Sequence, residues 1–381
     1  MARLIAAFAV LAAVSCGGGS EPDLPGPPPP PPPPEWFVPE CDVVAGPPTA
    51  TYSPDAGITL RPNAEAADGD VQLTAFSIGV ASEYGGLLFA SNHATRVYVS
   101  SDAGCSWGLA YTRASAVQFF TVTDRWGYVT VGTRDEEIVR LGPAGVEAVH
   151  PLPFDADWLA STPADPGAVY AVSRQTPTVD LVRRSGDMGK TWETLGDVGS
   201  SPAIQQLAIS PTDMLHFVAT GSGEISLSFD GGRSWSESTG ILKDAFSAST
   251  HHVVFGGDRD VTDIWVNGSR RWRDDEGRIE RDERFIARST DLGLSFTDVV
   301  TTDDGVSLRG GTNLATRPGI AGQVLFEDYT KPAIYHYRAS DDSVTVITWE
   351  PGEASRISSL VFHPEDPDVL YLGRDFAGCC G

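Results

Sequence analysis

The sequence predicts an all-β chain made of one four-stranded unit, repeated around a ring. Three observations predict it. An octapeptide of the form Ser-x-Asp-x-Gly-x-Ser/Thr-Trp/Phe occurs four times, as SSDAGCSW (100–107), SGDMGKTW (185–192), SFDGGRSW (228–235) and STDLGLSF (289–296). Its aspartates, Asp102, Asp187, Asp230 and Asp291, are separated by 85, 43 and 61 residues, which is one period of about 43, doubled once and lengthened once. Between the octapeptides lie short alternating runs rich in Val, Ile, Phe and Tyr, broken by Pro, Asp and Gly, which read as strands and turns. A period in the forties with four strands per unit is the pattern of a β-propeller.

The elements follow in order. Two alternating runs precede each octapeptide, such as LAISP and HFVATG ahead of Asp230, or WLASTP and AVYAVS ahead of Asp187. Each unit therefore reads strand, turn, strand, loop, strand, octapeptide, strand. First strands are expected to end near Val80, Thr123, Pro163, Pro211, His251, Pro318 and Pro364, which gives seven blades, with six as the alternative if the degenerate units are misread. The doubled interval places a worn copy near residue 144, where LGPAG (141–145) keeps a turn without the Asp. The long interval exceeds the period by 18 residues, and the charged segment VNGSRRWRDDEGRIERDERF (266–285) is the insertion that accounts for it. The last unit, SSLVFHPEDPDVLYLGRDF (358–376), supplies two strands. CDVVAGPPTATYSPDAGITL (41–60) is strand-like and has no unit of its own, so it is expected to complete the last blade and cover its edge.

The octapeptides resemble the Asp-box, or BNR, repeats of sialidase-type propellers, and the resemblance runs from Cys41 to Gly381. It implies that each box is the hairpin between the third and fourth strands of a blade. The spelling suits that role. An Asp side chain can accept bonds from backbone N–H groups two residues on, Gly supplies the turn's backbone angle, and Trp or Phe packs between blades. Asp102, Asp187, Asp230 and Asp291 are thus expected to be structural, each alone in its turn rather than in the carboxylate cluster a hard cation takes. No metal or other cofactor is expected.

Residues 1–15 have the proportions of a signal peptide, with Arg3 followed by an apolar run from Leu4 to Val14 that is too short to span a bilayer. Ala13-Val14-Ser15-Cys16 resembles the lipobox of bacterial lipoproteins, which makes Cys16 the expected lipidation site; ordinary secretion is the alternative. Gly17 stands where an inner-membrane retention signal would carry Asp, and this resemblance implies the outer membrane of a bacterial cell envelope. Residues 16–40 read as a stalk: Pro27–Pro34 is an unbroken run, a stiff polyproline II spacer of roughly 25 Å. Cys41, Cys105, Cys379 and Cys380 remain, an even set that suggests two disulfides with the pairing open. Cys41 with Cys379 or Cys380 would staple the closure.

The chain of 381 residues carries 51 acidic against 27 basic residues, a net charge of −24. That excludes a basic face for nucleic acid and electrostatic attachment to anionic lipid. The membrane is expected to be reached through the anchor only, by a monomer. In propellers of the resembled family, ligands use the face bearing the loops between second and third strands. Those loops carry Arg96, Arg134, Arg174 and Arg374, and EDYTKPA (327–333) adds Glu327, Asp328, Tyr329 and Lys331. Converging guanidinium groups would suit a carboxylate, sulfate or phosphate. The bland reading is that they are solvated or paired with nearby Asp135 and Asp375.

A glycoside hydrolase needs two carboxylates facing across the scissile bond, and Asp328 and Asp135 are the first pair to inspect. The sialidases that the boxes resemble also carry an early Phe/Tyr-Arg-Ile-Pro segment; GITLRPN (57–63) stands nearest to it and does not match. Within the insertion, Trp272 among the five arginines from Arg270 to Arg281 is the candidate contact residue for a partner. The expectation is a surface-displayed, non-catalytic ring for a protein or glycan partner. An extracellular sialidase-like glycoside hydrolase is the main alternative, and a factor that assembles membrane complexes the weaker one.

Overall fold

Alternating runs become strands where one face can be buried, and most of those in this chain do. The computed structural model describes residues 59–62, 77–81, 86–91, 96–104, 106–112, 117–123, 125–131, 137–176, 179–199, 204–257, 262–308, 312–327, 333–348, 355–364 and 366–376. The chain divides into Met1–Trp36 and Phe37–Gly381; the first part, with Cys16, lies outside the described residues. So do Cys41, Cys105, Cys379 and Cys380.

Six antiparallel four-stranded sheets follow one another along the chain, each with its strands in sequence order. Sheet I is Ser77–Val80, Leu88–Ser91, Arg96–Ser100 and Gly108–Thr112; sheet II is Val117–Val122, Gly127–Val131, Glu137–Gly142 and Gly145–Pro151. Sheet III is Trp158–Ala160, Val169–Thr176, Val179–Ser185 and Glu193–Asp197; sheet IV is Gln206–Ile209, Phe217–Thr220, Ser226–Ser228 and Ser236–Glu237. Sheet V is Ser247–Gly257, Thr262–Arg273, Ile279–Ser289 and Thr297–Thr301; sheet VI is Leu314–Ala315, Gln323–Glu327, Ala333–Arg338 and Ser343–Thr348. Sheet VII is Ser355–Phe362 and Val369–Phe376, with Thr59–Pro62 running parallel beside Val369–Leu372. The one helical turn among the described residues is Thr302–Asp304.

Each octapeptide lies between the third and fourth strands of its sheet, and LGPAG does the same in sheet II. The insertion 266–285 lengthens the second and third strands of sheet V into a hairpin, with its turn at 274–278. One strand end differs from expectation. The first strand of sheet V continues through His251 to Gly257. Its register shifts between Thr250 and Val253, and at that bulge the Gln206 side chain accepts from Val253 N (2.8 Å) and donates to its carbonyl (3.1 Å). The polar residues that read as a terminus are a bulge bonded to the neighbouring sheet.

The buried apolar side chains fall into clusters that sit between sheets. Sheets I and II share Leu87, Phe89, Val129 and Leu141; II and III share Tyr128, Ile138, Leu159 and Val169. III and IV share Val172, Val182, Leu207 and Phe217; IV and V share Val218, Leu227, Ile264 and Phe285. V and VI meet at Trp265, Ile286, Val324 and Phe326, and VI and VII at Leu325, Ile334, Leu360 and Leu370. The last cluster joins VII back to I through Val369, Tyr371, Leu88 and Trp107. Because strand side chains alternate, one face of each sheet packs on the preceding sheet and the other on the next.

The octapeptides repeat one hydrogen-bond pattern. The Ser hydroxyl donates to the Asp (2.7 to 2.9 Å) and accepts the Gly N–H at 2.8 Å in all four. The Asp accepts both the backbone N–H and the hydroxyl of the Ser or Thr four residues on. That reach is longer than the two residues expected, because Asp+1 and the Gly both take positive φ, for example Met188 at 64° and Gly189 at 88°, and curl the chain around the carboxylate. Hydrogen bonding holds the Asp187 and Asp230 carboxyls down to about 2, below the usual 3.8. The box aromatics Trp107, Trp192, Trp235 and Phe296 each pack into the cluster shared with the preceding sheet.

Candidate functional site

The first strands of the sheets stand side by side in chain order, and that of sheet I also lies against that of sheet VII. An inner strand bonds one edge to its own second strand and turns the other toward the middle of the array, where its amides need partners. Ser, Thr and Gln side chains on these strands meet part of that need across sheet boundaries. Ser161 Oγ donates to the Val122 carbonyl (2.6 Å), Thr162 Oγ1 to that of Ser210 (2.6 Å) and Thr316 Oγ1 to that of Phe255 (2.6 Å). Ile78 N donates to Ser359 Oγ (3.3 Å), which ties sheet I to sheet VII.

A cavity of about 820 Å³ opens between the inner strands of sheets II to VII. Its lining includes the apolar residues Trp158, Ile209, Leu360 and Phe362 and the hydroxyl-bearing Ser161, Ser210 and Thr316. Arg317 is the one charged residue among the described lining. Its Nε donates to the Pro367 carbonyl (2.9 Å) and its other arm pairs with Asp368. The cavity reaches Pro163, Pro211, Pro318 and Pro364, at the ends of the first strands and so on the octapeptide side. The expected ligand face was the opposite one. The signal was present in the sequence, as proline after Thr162, Ser210, Arg317 and His363, but it read only as strand punctuation.

The candidate arginines that are described, Arg96, Arg174 and Arg374, lie in strands rather than at loop tips. Arg174 is in the second strand of sheet III; its Nε meets Asp180 at 3.3 Å and its N–H donates to Asp157 (2.7 Å). Asp180 is buried and also accepts Ile204 N (2.9 Å), so Arg174 is paired within its own sheet, with a carboxylate the sequence reading did not single out. Arg96 opens the third strand of sheet I, within 3.5 Å of the Tyr98 hydroxyl. Arg374 is in the second strand of sheet VII, with its side chain outside the described part. Arg134, Asp135, Asp328, Tyr329 and Lys331 lie outside the described residues. Glu327 ends the second strand of sheet VI, buried, and accepts from Asn313 N and Nδ2 (3.2 and 3.1 Å). Arg96, Arg174 and Glu327 are not among the residues that line the cavity.

The hairpin of sheet V holds its charges in pairs. Arg270 is buried against Asp298, Glu283 and the Phe285 ring, Arg271 meets Asp282, and Arg278 bonds Asp274. Trp272 is half-buried under the Arg281 guanidinium, 4.9 Å from its ring centre. Burial pushes the imidazoles of His216, His251 and His336 below their usual 6.5, His336 to about 4 with help from Arg338 and Arg317. Among the described residues, no three His, Cys, Asp or Glu side chains are placed to hold a metal ion. No helix there is long and apolar enough to cross a membrane.

No protein-family model matches the chain. A curated relative, the Dispase autolysis-inducing protein of Streptomyces mobaraensis, is 26% identical over 378 residues, covering 89% of this chain and 90% of that one. Among solved structures, YCF48 bound to D1 peptide aligns with a TM-score of 0.54 at 13% identity, over 80% of this chain and 93% of that one. The WD40 repeats of RRP9 align with a TM-score of 0.54 at 14% identity, over 82% and 92%. The chain is a β-propeller. A xyloglucanase of Xanthomonas campestris also aligns, with a TM-score of 0.57 at 13% identity, over 80% of this chain and 51% of that one. At such identities the likenesses show the fold alone, which hosts binding scaffolds and hydrolases alike.

Proposed function

We propose that this chain is a non-catalytic, exported propeller whose central cavity receives a segment of a protein partner. The observation that carries the reading is the cavity lining: inner strands that bring hydroxyl-bearing and apolar residues together, with Arg317 as the one charged residue among the described lining. That chemistry matches an extended polypeptide, which offers amides to the polar positions and side chains to the apolar ones. The name of the Streptomyces relative, which describes an effect on a protease, supports a protein as partner, and so does the peptide bound by YCF48.

The ring is proposed to have seven blades. Thr59–Pro62 beside Val369–Leu372 and the cluster that joins sheets VII and I support closure by the N-terminal segment. Cys41 is proposed to pair with Cys379 or Cys380, and Cys16 with the stalk to hold the propeller off a bacterial membrane.

The test is binding of an unstructured polypeptide, reduced and alkylated casein, beside turnover of fluorogenic glycosides and a xyloglucan. Saturable casein binding, weakened at least tenfold by Thr212→Trp, supports the reading. Thr212 lines the cavity and is exposed, so the substitution obstructs the opening while sparing the core. Glycoside turnover would overturn it, as would casein binding indifferent to the substitution.

A further inference from the structure

The internal repeat supplies its own control for unusual residues, because equivalent positions do the same structural work in each sheet. The turn after the first strand is closed by the same bond in three sheets: Ala168 N to Asp165 O, His216 N to Asp213 O, and Val369 N to Asp366 O, at 3.1 to 3.2 Å. Between those partners stand Pro166-Gly167 in sheet III and Pro367-Asp368 in sheet VII. Sheet IV has Met214-Leu215 instead. The turn therefore forms without a large apolar residue, and the pair in sheet IV answers some other need.

The neighbouring octapeptides show the same departure. The position after the first Ser is Ser101, Gly186 and Thr290 in three boxes and Phe229 in sheet IV. After the Asp, Ala103 is buried and Met188 packs into the cluster of sheets II and III, while Leu292 of sheet V points outward. After the Gly come Lys190 and Arg233 in sheets III and IV, but Leu294 in sheet V. Met214, Leu215, Phe229, Leu292 and Leu294 are each between 43% and 53% exposed.

These residues meet at the junction of sheets IV and V, on the octapeptide side. Gly231 N donates to the Leu215 carbonyl (3.0 Å), and the Leu215 side chain lies over Gly231. Phe229 stacks on the buried His216 ring at 4.8 Å, and His216 in turn meets Phe255 at 5.3 Å and the Leu292 backbone. The Leu294 carbonyl accepts from Thr239 N (3.0 Å), just past the last strand of sheet IV, so the exposed apolar side chains of both hairpins flank one sheet junction. Exposed apolar side chains gathered in this way mark a contact site. Its rim is acidic. Asp213 sits in the same turn, and the Asp230 and Asp291 carboxyls are held below their usual range by the box hydrogen bonds. Arg233, the cation on the sheet IV box, has a guanidinium arm on the Asp230 carbonyl (2.8 Å).

We propose that Met214, Leu215, Phe229, Leu292 and Leu294 form a second docking surface, for a protein segment that combines basic and apolar side chains. The occupant follows from charge: an acidic rim on a chain of net charge −24 favours lysine and arginine around an apolar anchor and disfavours an anionic membrane. The proposal rests on the protein-partner reading and is independent of the central cavity.

The test uses the full chain and a fluorescent amphipathic peptide of leucine and lysine, beside its leucine–glutamate counterpart and phosphatidylglycerol vesicles. The expected result is saturable binding of the lysine peptide, weakened at least tenfold by Leu215→Ser/Phe229→Ser and unchanged by Thr212→Trp. These side chains are exposed, so the pair of substitutions should leave the melting temperature in place; Leu292→Ser/Leu294→Ser, on the other hairpin, must reproduce the loss. Equal binding by wild type and both variants overturns the patch and leaves the protein-partner reading intact if casein still binds. Equal affinity for the glutamate peptide, tighter binding to vesicles, or self-association lost in the variants each overturns the stated occupant. A wild-type chain that binds neither peptide nor casein removes the patch and the protein-partner reading together.

Discussion

Replacing Asp230 tests whether the octapeptide is a self-contained lock. The Asp230 carboxylate accepts from Ser228 Oγ (2.9 Å), Arg233 N (3.0 Å), Ser234 N (2.9 Å) and Ser234 Oγ (2.6 Å). Asp230→Ala removes all four acceptor contacts and leaves two backbone donors to water. At a half-exposed site each bond is worth about 0.5–1 kcal/mol net, so the loss should be about 2–4 kcal/mol. Asp230→Asn keeps the oxygen that serves the N–H groups and turns an amide toward Ser234 Oγ, so it should cost about 1 kcal/mol or less. Unfolding entropy for a chain this long is roughly 0.7 kcal/mol per kelvin, which makes the alanine shift about 3–6 °C. Differential scanning calorimetry of wild type and both variants, with and without a chelator, reads the series directly. An asparagine variant as damaged as the alanine one, with the same loss on chelation of the wild type, would refute the reasoning and point to a bound cation.

Three further outcomes follow from particular contacts. A Cβ on Gly196 would stand 2.3 Å from the Gly232 carbonyl oxygen, backbone against backbone, so Gly196→Ala should destabilise by about 1–3 kcal/mol in a denaturant titration. Asp263 is fully buried and paired with Arg288 at 2.6 Å, so Arg288→Met should cost about 3–5 kcal/mol, and adding Asp263→Asn should recover part of that. The folded pKa of His336, about 4, lies below its unfolded value of 6.5, so its neutral form is the one the fold favours. Its contribution, at most about 3 kcal/mol, is whole above pH 6.5 and is lost as pH falls toward 4. The denaturation midpoint of His336→Gln should therefore fall less than that of wild type across that window.

How much was legible depended on whether the signal was local. The octapeptide carries its own hydrogen-bond partners within five residues, from Ser228 to Gly232 and from Asp230 to Ser234, so its hairpin could be read from spelling and spacing. The same holds for the worn copy at 141–145 and for the 266–285 hairpin, whose strands pair with each other. The end of the first strand in sheet V could not be read, because Gln206, more than forty residues away, reaches the bulge at Val253. The arginines misled for a similar reason: Arg174 finds Asp180 across a strand pair whose register extends farther than the loop reading allowed.

The sequence by itself determined the repeat unit, the strand order within each sheet and the structural role of the box aspartates. These are properties of short chain segments, and periodicity reports them faithfully. Only the tertiary structure decided what the units make together: a cavity on the axis, and an apolar patch where sheets IV and V meet. Both arise from residues distant along the chain, such as Thr121 and Phe362 on one wall, or Leu215 and Leu292 on one surface. In sequence each is an ordinary residue at the end of a strand or in a turn. Packing the sheets face to face, with their first strands side by side, is what brings them together.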